Sequence, residues 1–178
     1  MVMQQTLTLE EYLALPEEKP YREFIHGRAV PKPMTNSDHI DLVAEIVAAL
    51  RLYARATGGR SGPEASILVG EAHDQRVLLP DAAYWAPGRR KGRYPMNAPT
   101  VAVEVRSPSQ TRPEQREKCR FYVSHGVEAA WLVDPDSRTV EVFEGGAVLT
   151  LSSGDTLTSA AMPGFELSVA ELFSAVEE

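Results

Sequence analysis

Two carboxylates interrupt apolar segments of the sequence in a way that is typical of metal chemistry. Glu104 lies within the apolar run 101–105, and Asp81 follows Pro80 and precedes the apolar run 82–85. A buried carboxylate is normally paired with a cation or bound to a metal, because an unpaired ionised group loses its hydration. If the two segments form paired strands, both acids can share one face and hold a hard cation such as Mg²⁺. A structural salt bridge to an arginine is the competing interpretation of Glu104.

Other residue types exclude several alternative chemistries. The single cysteine, Cys119, excludes a disulfide framework and a cysteine-cluster metal site. The four histidines show no close pairing of the kind found in zinc motifs. No Gly-x-Ser-x-Gly elbow is present, which argues against a serine hydrolase. Any metal would therefore need oxygen or imidazole ligands.

The charge distribution is uneven along the chain. The formal net charge of -7 argues against a protein that coats nucleic acid. Residues 86–120, however, contain nine Lys or Arg against three Glu. This cationic stretch flanks Glu104, where a phosphate substrate would need it, although a solvated loop and helix face would explain it equally well.

Hydrophobic periodicity and turn residues predict the elements that position these acids. A short helix follows Thr8, a hairpin occupies 21–30, and a long helix starts at 36–38 and ends at Gly58. The apolar stripe of this long helix is predicted to contain Ile40, Val43, Ala44, Val47, Leu50 and Ala54. Strands are predicted at 65–69, 76–85, 100–106, 129–133 and 139–143, with helices at 113–124 and 168–176 and a further hairpin between.

The fold class follows from the order of these elements. Strand, helix and strand over 100–133 form a plausible crossover unit, whereas the hairpins should pair antiparallel. We therefore predict an α/β (α+β) fold, with a mixed β-sheet flanked by helices and additional β-hairpins. The length of 178 residues favours one domain over 1–178. No run approaches the roughly 18 apolar residues of a membrane span, and the first residues do not resemble a signal peptide, so we expect a cytoplasmic protein without membrane contact.

A larger pattern of motifs resembles a known family. The pattern consists of Glu23-Phe24-Ile25-His26-Gly27, Pro33, His39, Pro80-Asp81, Val103-Glu104-Val105-Arg106-Ser107-Pro108-Ser109, Lys118, Tyr122, Gly126-Val127-Glu128 and Trp131-Leu132-Val133-Asp134-Pro135. It resembles the bacterial family of proposed endonucleases called Uma-two, whose members look like the PD-(D/E)XK, or restriction-endonuclease-like, superfamily. The resemblance covers roughly 7–143. It implies the same mixed sheet flanked by helices.

The resemblance also implies roles for individual residues. Asp81 and Glu104 would be the metal ligands, and Glu23 would make a further contact to metal or water. In the wider superfamily, a lysine stands two residues after the glutamate, where this chain has Arg106. Because an arginine does not readily deprotonate, the resemblance points to Lys118 as a relocated lysine. Apart from the resemblance, Arg106 and the loop with Arg89 and Arg90 are expected to hold substrate phosphate. His39 would contact phosphate or order the site, the alternative being a helix-capping or surface histidine.

The leading hypothesis is thus a nuclease that requires Mg²⁺ or Mn²⁺ and hydrolyses the phosphodiester bonds of nucleic acid, with DNA favoured. Tyr122 lies four residues after Lys118 and would either position that lysine or pack in the core. Asp134 is interpreted as a turn former. A homodimer or higher homo-oligomer is expected. The alternative is a catalytically inactive binding or assembly protein that keeps the fold and uses its acids as a structural charge network.

Overall fold

The computed structural model describes residues 6–176, in which thirteen strands and four helices are found. The helices are α1 (Leu9–Leu13), α2 (Ser37–Thr57), α3 (Arg112–Ser124) and α4 (Val169–Ser174). The strands are β1 (Arg22–Ile25), β2 (Arg28–Pro31), β3 (Arg60–Pro63), β4 (Ile67–Val69), β5 (Arg76–Leu78), β6 (Ala82–Trp85), β7 (Met96–Asn97), β8 (Val101–Val105), β9 (Ala129–Asp134), β10 (Thr139–Glu144), β11 (Ala147–Leu151), β12 (Thr156–Leu157) and β13 (Leu167–Ser168). No helix among these residues is long and apolar enough to span a bilayer.

Two large sheets carry the architecture. The first has six strands in the order β11-β10-β9-β8-β6-β3, and the second has five in the order β2-β1-β5-β4-β7. In the first sheet β8 is parallel to β9 and antiparallel to β6, and α3 connects β8 to β9 as the predicted crossover unit. Strands β12 and β13 form a small separate pair. The predicted α/β (α+β) class, with a mixed sheet, flanking helices and hairpins, is confirmed.

The prediction of one continuous strand at 76–85 is wrong, because this segment forms two strands, β5 and β6, which belong to different sheets. Pro80 lies in the break and has no backbone N–H to donate to a ladder, so a continuous central strand is disfavoured at this point. The chain crosses between the two sheets here. As a result, Asp81 stands at the start of β6, at the junction of the sheets. The short strands β3 and β7 were not predicted.

Helix α2 packs on the six-stranded sheet through a stripe that overlaps the predicted one at Leu50 and Ala54 but is rotated away from Ile40. The residues on its buried side are His39, Leu42, Ile46, Leu50 and Ala54, while Ile40 is 57% exposed. Apolar residues on two adjacent faces made both stripes plausible from sequence. The helix begins after Asn36, whose side chain accepts a hydrogen bond from the His39 amide. It ends at Gly58, which adopts the left-handed conformation with φ of 80°. The N-terminal end of α2 therefore turns a histidine toward the sheet.

Helix α3 packs against strands β8, β9 and β10. It opens with a capping box in which Thr111 and Glu114 satisfy each other's backbone amides, and Pro113 stands in the first turn. Cys119 and Tyr122 are fully buried in the core between this helix and the sheets. The burial of Tyr122 fixes the rotation of α3, so that one side of the helix faces strand β8.

Candidate active site

Asp81 and Glu104 lie opposite each other across the antiparallel pair β6 and β8. Ala82 is the register partner of Val103, so the residues one step further along each strand meet at the same level. The two acids are 5% and 2% exposed. Asp81 Oδ2 accepts a hydrogen bond of 2.8 Å from the amide of Val105, which ties the aspartate directly to the strand of the glutamate. The strand pairing on which the predicted metal site depended is thus present.

Glu104 is held by two side chains of helix α3. Lys118 Nζ lies 2.9 Å from Glu104 Oε1, and the Tyr122 hydroxyl donates a 2.7 Å hydrogen bond to the same oxygen. Because these two residues are one helical turn apart, they face the strand together. Tyr122 is therefore both a core aromatic and a partner of the glutamate. Both contacts use Oε1, which leaves Oε2 available to a further ligand.

Lys118 also contacts a third acid, from the other sheet. Its Nζ donates a 2.7 Å hydrogen bond to Oε1 of Glu23, a buried residue of β1. The same Glu23 oxygen accepts a 2.8 Å hydrogen bond from the amide of Leu79, in the crossing between the sheets. Lys118 thus bridges Glu23 and Glu104, and the predicted residues Glu23, Asp81, Glu104 and Lys118 are brought together.

Asp81 has two cationic or titratable partners of its own. Lys32, just after β2, places Nζ 2.8 Å from Asp81 Oδ1 and also donates to the Leu79 carbonyl at 2.7 Å. His39 Nε2 is 3.2 Å from Asp81 Oδ2. His39, which the sequence proposed as a phosphate contact, is buried at the start of α2 and touches the aspartate. The contact lets His39 orient the acid, and His39 also lines the cavity beside it.

Burial and neighbouring charges separate the pKa values of the two acids. Burial raises the pKa of Asp81, but the hydrogen bond from His39 and the charge of Lys32 outweigh it and hold this pKa well below its usual range. At Glu104 burial is stronger than the attraction of Lys118 and raises the pKa to about 7. Burial lowers the pKa of Lys118, yet Glu104 and Glu23 more than offset this effect, and its pKa lies above the usual range. The directions of these pKa shifts favour the ionised form of Asp81 and the charged form of Lys118, and they place the pKa of Glu104 closest to neutrality of the three.

The acids open onto a cavity of about 260 Å³. Its lining includes Lys32, His39, Asp81, Glu104 and Gln110. A divalent cation fits the two acids by donor chemistry, because within residues 6–176 Oε2 of Glu104 accepts no hydrogen bond and Oδ1 of Asp81 accepts one from Lys32 only. Within residues 6–176 no group of three or more His, Cys, Asp or Glu is arranged to hold a metal. The protein thus offers two carboxylates, and the remaining ligands would have to be water or substrate oxygen.

Two of the arginines proposed as phosphate contacts, Arg106 and Arg89, lie outside the cavity of the two acids. Arg106 donates through Nε and Nη2 to Asp134 at 3.0 and 2.9 Å, and it also pairs with Asp136. Arg89 pairs with Glu128 and the Gly126 carbonyl. Neither arginine lines the small cavity. The structure therefore assigns both guanidinium groups to structural ion pairs, and Asp134 is the buried partner of Arg106 in addition to being a turn residue.

Arg90 is exposed and lines a second, larger cavity beside the acidic one. It is thus separate from the group of residues that surrounds the two acids. The sequence missed Lys32 completely. It stands 49 residues before Asp81, after an unremarkable hairpin, and only the packing of β2 next to the sheet crossing reveals it.

A buried Asp and Glu on adjacent strands, with a lysine partner and a mixed sheet flanked by helices, define a protein of the restriction-endonuclease-like class. The family model described as "Putative restriction endonuclease", Uma2, matches residues 9–170. The chain belongs to the Uma2 family, and the resemblance inferred from the sequence is confirmed.

Comparison with solved structures gives the same class. A crystal structure from Anabaena variabilis, described as a "putative nuclease belonging to DUF820", is 25% identical, covers 96% of this chain and 99% of its own, and superposes with a TM-score of 0.84. A structure of a DrdV–DNA complex is 15% identical, covers 77% of this chain and 12% of its own, and has a TM-score of 0.43, too low to inform the site. A comparison with curated proteins found no match.

Proposed function

We propose that this protein is an endonuclease that hydrolyses phosphodiester bonds of nucleic acid, DNA being favoured, with Mg²⁺ or Mn²⁺ as cofactor. One observation carries the proposal: two buried carboxylates, Asp81 and Glu104, face one cavity from adjacent strands, and lysines accompany both. A structural charge network has no need of an open cavity at its acids. A site for phosphate and a cation does need one.

Asp81 and Glu104 would hold the cation, which when bound supplies a water of lowered pKa and positive charge against the phosphate oxygens. The low pKa of Asp81 keeps this ligand ionised at every working pH. Glu104 binds a proton near neutrality in the free protein, so a cation would displace that proton. Tyr122 and Lys118 fix the orientation of the glutamate through Oε1 and leave the other oxygen toward the cavity.

Lys118 acts as an ammonium group in this proposal. Its raised pKa means that it keeps its proton, so it cannot take one from water. It can donate hydrogen bonds to a nucleophile or to phosphate and offset negative charge there. Glu23 balances this lysine when substrate is absent.

Lys32 and His39 are the groups of this cavity that we assign to phosphate. Both line the cavity, and Lys32 can exchange its contact with Asp81 for one with a phosphate oxygen when a cation binds the aspartate. Arg106 and Arg89 keep their acidic partners and stabilise the surrounding elements. Such a site makes no contact that distinguishes one base from another.

A catalytically inactive binding protein is the second candidate. It is favoured by the ion pairs at the site, since Asp81, Glu104 and Glu23 each have a lysine neighbour already. In that case the fold would bind nucleic acid or a second copy of this chain without cutting. We further propose a homodimer for the active form, because cutting both strands of a duplex requires two sites.

The two candidates are separated by a cleavage assay on supercoiled plasmid in Mg²⁺, Mn²⁺ or EDTA. The endonuclease proposal predicts nicked and linear DNA only with a divalent cation, and loss of cleavage by at least about a hundredfold in Asp81→Asn and Glu104→Gln. Glu141→Gln is the matched control, because Glu141 is a buried glutamate of β10 paired with Arg112 outside the cavity. Cleavage that survives in both site variants, or none in the wild type, would reject the nuclease and favour the binding protein.

A further inference from the structure

A second cavity of about 630 Å³ adjoins the acidic one. Tyr21 and Glu64 line both cavities. Leu79, which lines the larger cavity, also donates its amide to Glu23 and accepts Lys32 at its carbonyl. The volume falls within the roughly 300–1,000 Å³ that is usual for ligand pockets. A group held in this cavity would therefore lie next to the bond that the acids act on.

Four aromatic residues line this larger cavity, namely Tyr12, Tyr21, Trp85 and Tyr94. Tyr12 and Trp85 are only 5% and 1% exposed, so the accessible ring surface is mainly that of Tyr21 and Tyr94. The Tyr12 hydroxyl donates to the Arg22 carbonyl, and Trp85 Nε1 donates to the Asn97 carbonyl, so their polar atoms already have partners. Tyr94 is 63% exposed at the edge of the cavity. Such ring surfaces suit the faces of nucleobases, which stack on aromatic side chains whatever their sequence.

Two serines of the lining have unused hydrogen-bonding groups. Ser61 is only 5% exposed, and its Oγ has no hydrogen-bond partner among residues 6–176. The buried Oγ of Ser66 is likewise without a partner in that part of the chain. Buried polar atoms are normally satisfied, and each hydroxyl can both donate and accept. Because both hydroxyl oxygens are enclosed by protein atoms, a molecule in the cavity would reach them only after a local shift of the surrounding residues.

The rim of the larger cavity carries both arginines and acids, and hydrogen bonds close the loop 89–97 that bears the arginines. Arg90 and Arg93 line the cavity and make no ion pair with the described residues, whereas Glu18 is paired with Arg22. Glu17 and Glu64 are the other acids of the lining. The loop is closed by Asn97, which accepts the Lys91 amide at 2.6 Å and donates to the Arg89 carbonyl at 3.0 Å. The two arginines are thus held at the rim with free guanidinium groups for backbone phosphates.

We propose that this larger cavity, with Tyr94 as its stacking residue, holds one unpaired nucleotide beside the cleaved phosphodiester, so that the preferred substrate is a strand with unpaired nucleotides. The inference rests on the proposed nuclease function. An intact duplex keeps its bases stacked inside the helix and could not fill the cavity without unpairing.

Fluorescence anisotropy in EDTA tests this preference with three labelled ligands. They are an oligothymidylate of about 12 nucleotides, an intact duplex, and the same duplex with one unpaired thymidine. The wild type is expected to bind the first and third at least roughly tenfold more tightly than the intact duplex. Tyr94→Ala should weaken binding of the oligothymidylate and of the duplex with the unpaired thymidine by roughly fivefold or more, and it should leave the affinity for the intact duplex unchanged. Tyr94→Phe, which keeps the ring, should bind all three ligands as the wild type does. Arg55→Gln, an exposed residue of α2 outside both cavities, is the charge control and should bind as the wild type.

The outcomes distinguish this inference from the nuclease proposal. Equal affinity for intact and unpaired DNA, or unchanged affinities in a folded Tyr94→Ala, would overturn the nucleotide site, while metal-dependent plasmid cleavage would leave the nuclease proposal standing. Binding of none of the three ligands, without plasmid cleavage, would overturn both.

Discussion

Lys118 stands between two buried acids, and its two ion pairs link the two sheets at the site, as the contact of Lys32 with Asp81 also does. Glu23 comes from β1 of the five-stranded sheet and Glu104 from β8 of the six-stranded sheet. A lysine in this position offsets both negative charges while keeping its own. Replacing Lys118 would therefore both remove a cation from the site and leave two buried carboxylates unpaired, which lowers the stability of the fold.

Lys118→Met is expected to lower the free energy of unfolding by about 3–5 kcal/mol, because it leaves two buried acids without their cation. Adding Glu23→Gln to the same chain should recover part of this loss, since one of the stranded charges is then removed. Chemical denaturation of the single and double variants measures both. A loss below about 1 kcal/mol in Lys118→Met would contradict the buried pairing.

Asp134 provides a pH dependence that is independent of the acidic cavity. Burial raises its pKa, but hydrogen bonds from Arg106 and the charge of that residue outweigh burial and lower it. A lowered pKa in the folded state stabilises the protein above the unfolded-state value of about 3.9, and the stabilisation is lost as the pH falls through the folded-state value. The wild type should thus unfold at higher denaturant than Asp134→Asn at pH 7, and the gap should narrow below about pH 4. A gap that stays constant down to pH 2 would argue against the shift.

At the scale of elements, strand β8 carries Glu104 and leads directly to Arg106, which faces a different partner. The sequence placed these two side chains on one face of a strand. The structure ends β8 at Val105, and Arg106 then pairs with Asp134 of β9 and contacts the Gln110 carbonyl. Position 106, where the superfamily usually has a lysine, is thus occupied by an arginine that stabilises the loop before α3 through its contacts with Asp134 and the Gln110 carbonyl.

Arg106→Lys should therefore not raise cleavage, because the new ammonium group would lie beside Asp134 rather than in the acidic cavity. The unfolding free energy should fall by about 1 kcal/mol, since a lysine cannot reproduce the bidentate contact. Plasmid cleavage and denaturation on the same preparation check both statements. A gain of cleavage would instead indicate that residue 106 reaches the site.

Elements with strong local signals were predictable, and those set by long-range packing were not. The N-cap of α2 at Asn36, the hairpin at β1 and β2, and the crossover around α3 follow from nearby residues, whereas the cap of α3 at Thr111 was not predicted. The division of 76–85 between two sheets depends on tertiary packing, although Pro80 marks the place. Asp81 and Glu104 were found because an acid in an apolar strand is a local anomaly. Lys32 has no such signal, because its contact with Asp81 exists only in the folded chain.

At the scale of the whole molecule, the cationic stretch 86–120 does not form one surface. Arg89, Arg106 and Arg112 pair with acids from other elements, and Lys118, whose side chain is 12% exposed, is paired at the site. Among the cations that line the two cavities, Lys19, Arg90 and Arg93 make no ion pair within the described residues. With only these three unpaired cations at its two cavities, the protein should hold nucleic acid there by a small number of phosphate contacts.

The salt dependence of binding should therefore be shallow. Three phosphate contacts on a single strand predict a slope of about −2 for log K against log salt concentration. Anisotropy of a labelled single strand between low and moderate salt measures it, with Arg55→Gln as control. A slope steeper than about −4 would contradict this view and indicate a basic surface outside the two cavities.

Calorimetric titration of Mn²⁺ into the metal-free protein tests the central claim most directly. The account predicts binding by the wild type and by the control Glu141→Gln, and loss of that binding in both Asp81→Asn and Glu104→Gln. The result that would contradict it is a folded wild-type protein that takes up no Mn²⁺, or uptake that persists unchanged when both site carboxylates have been replaced.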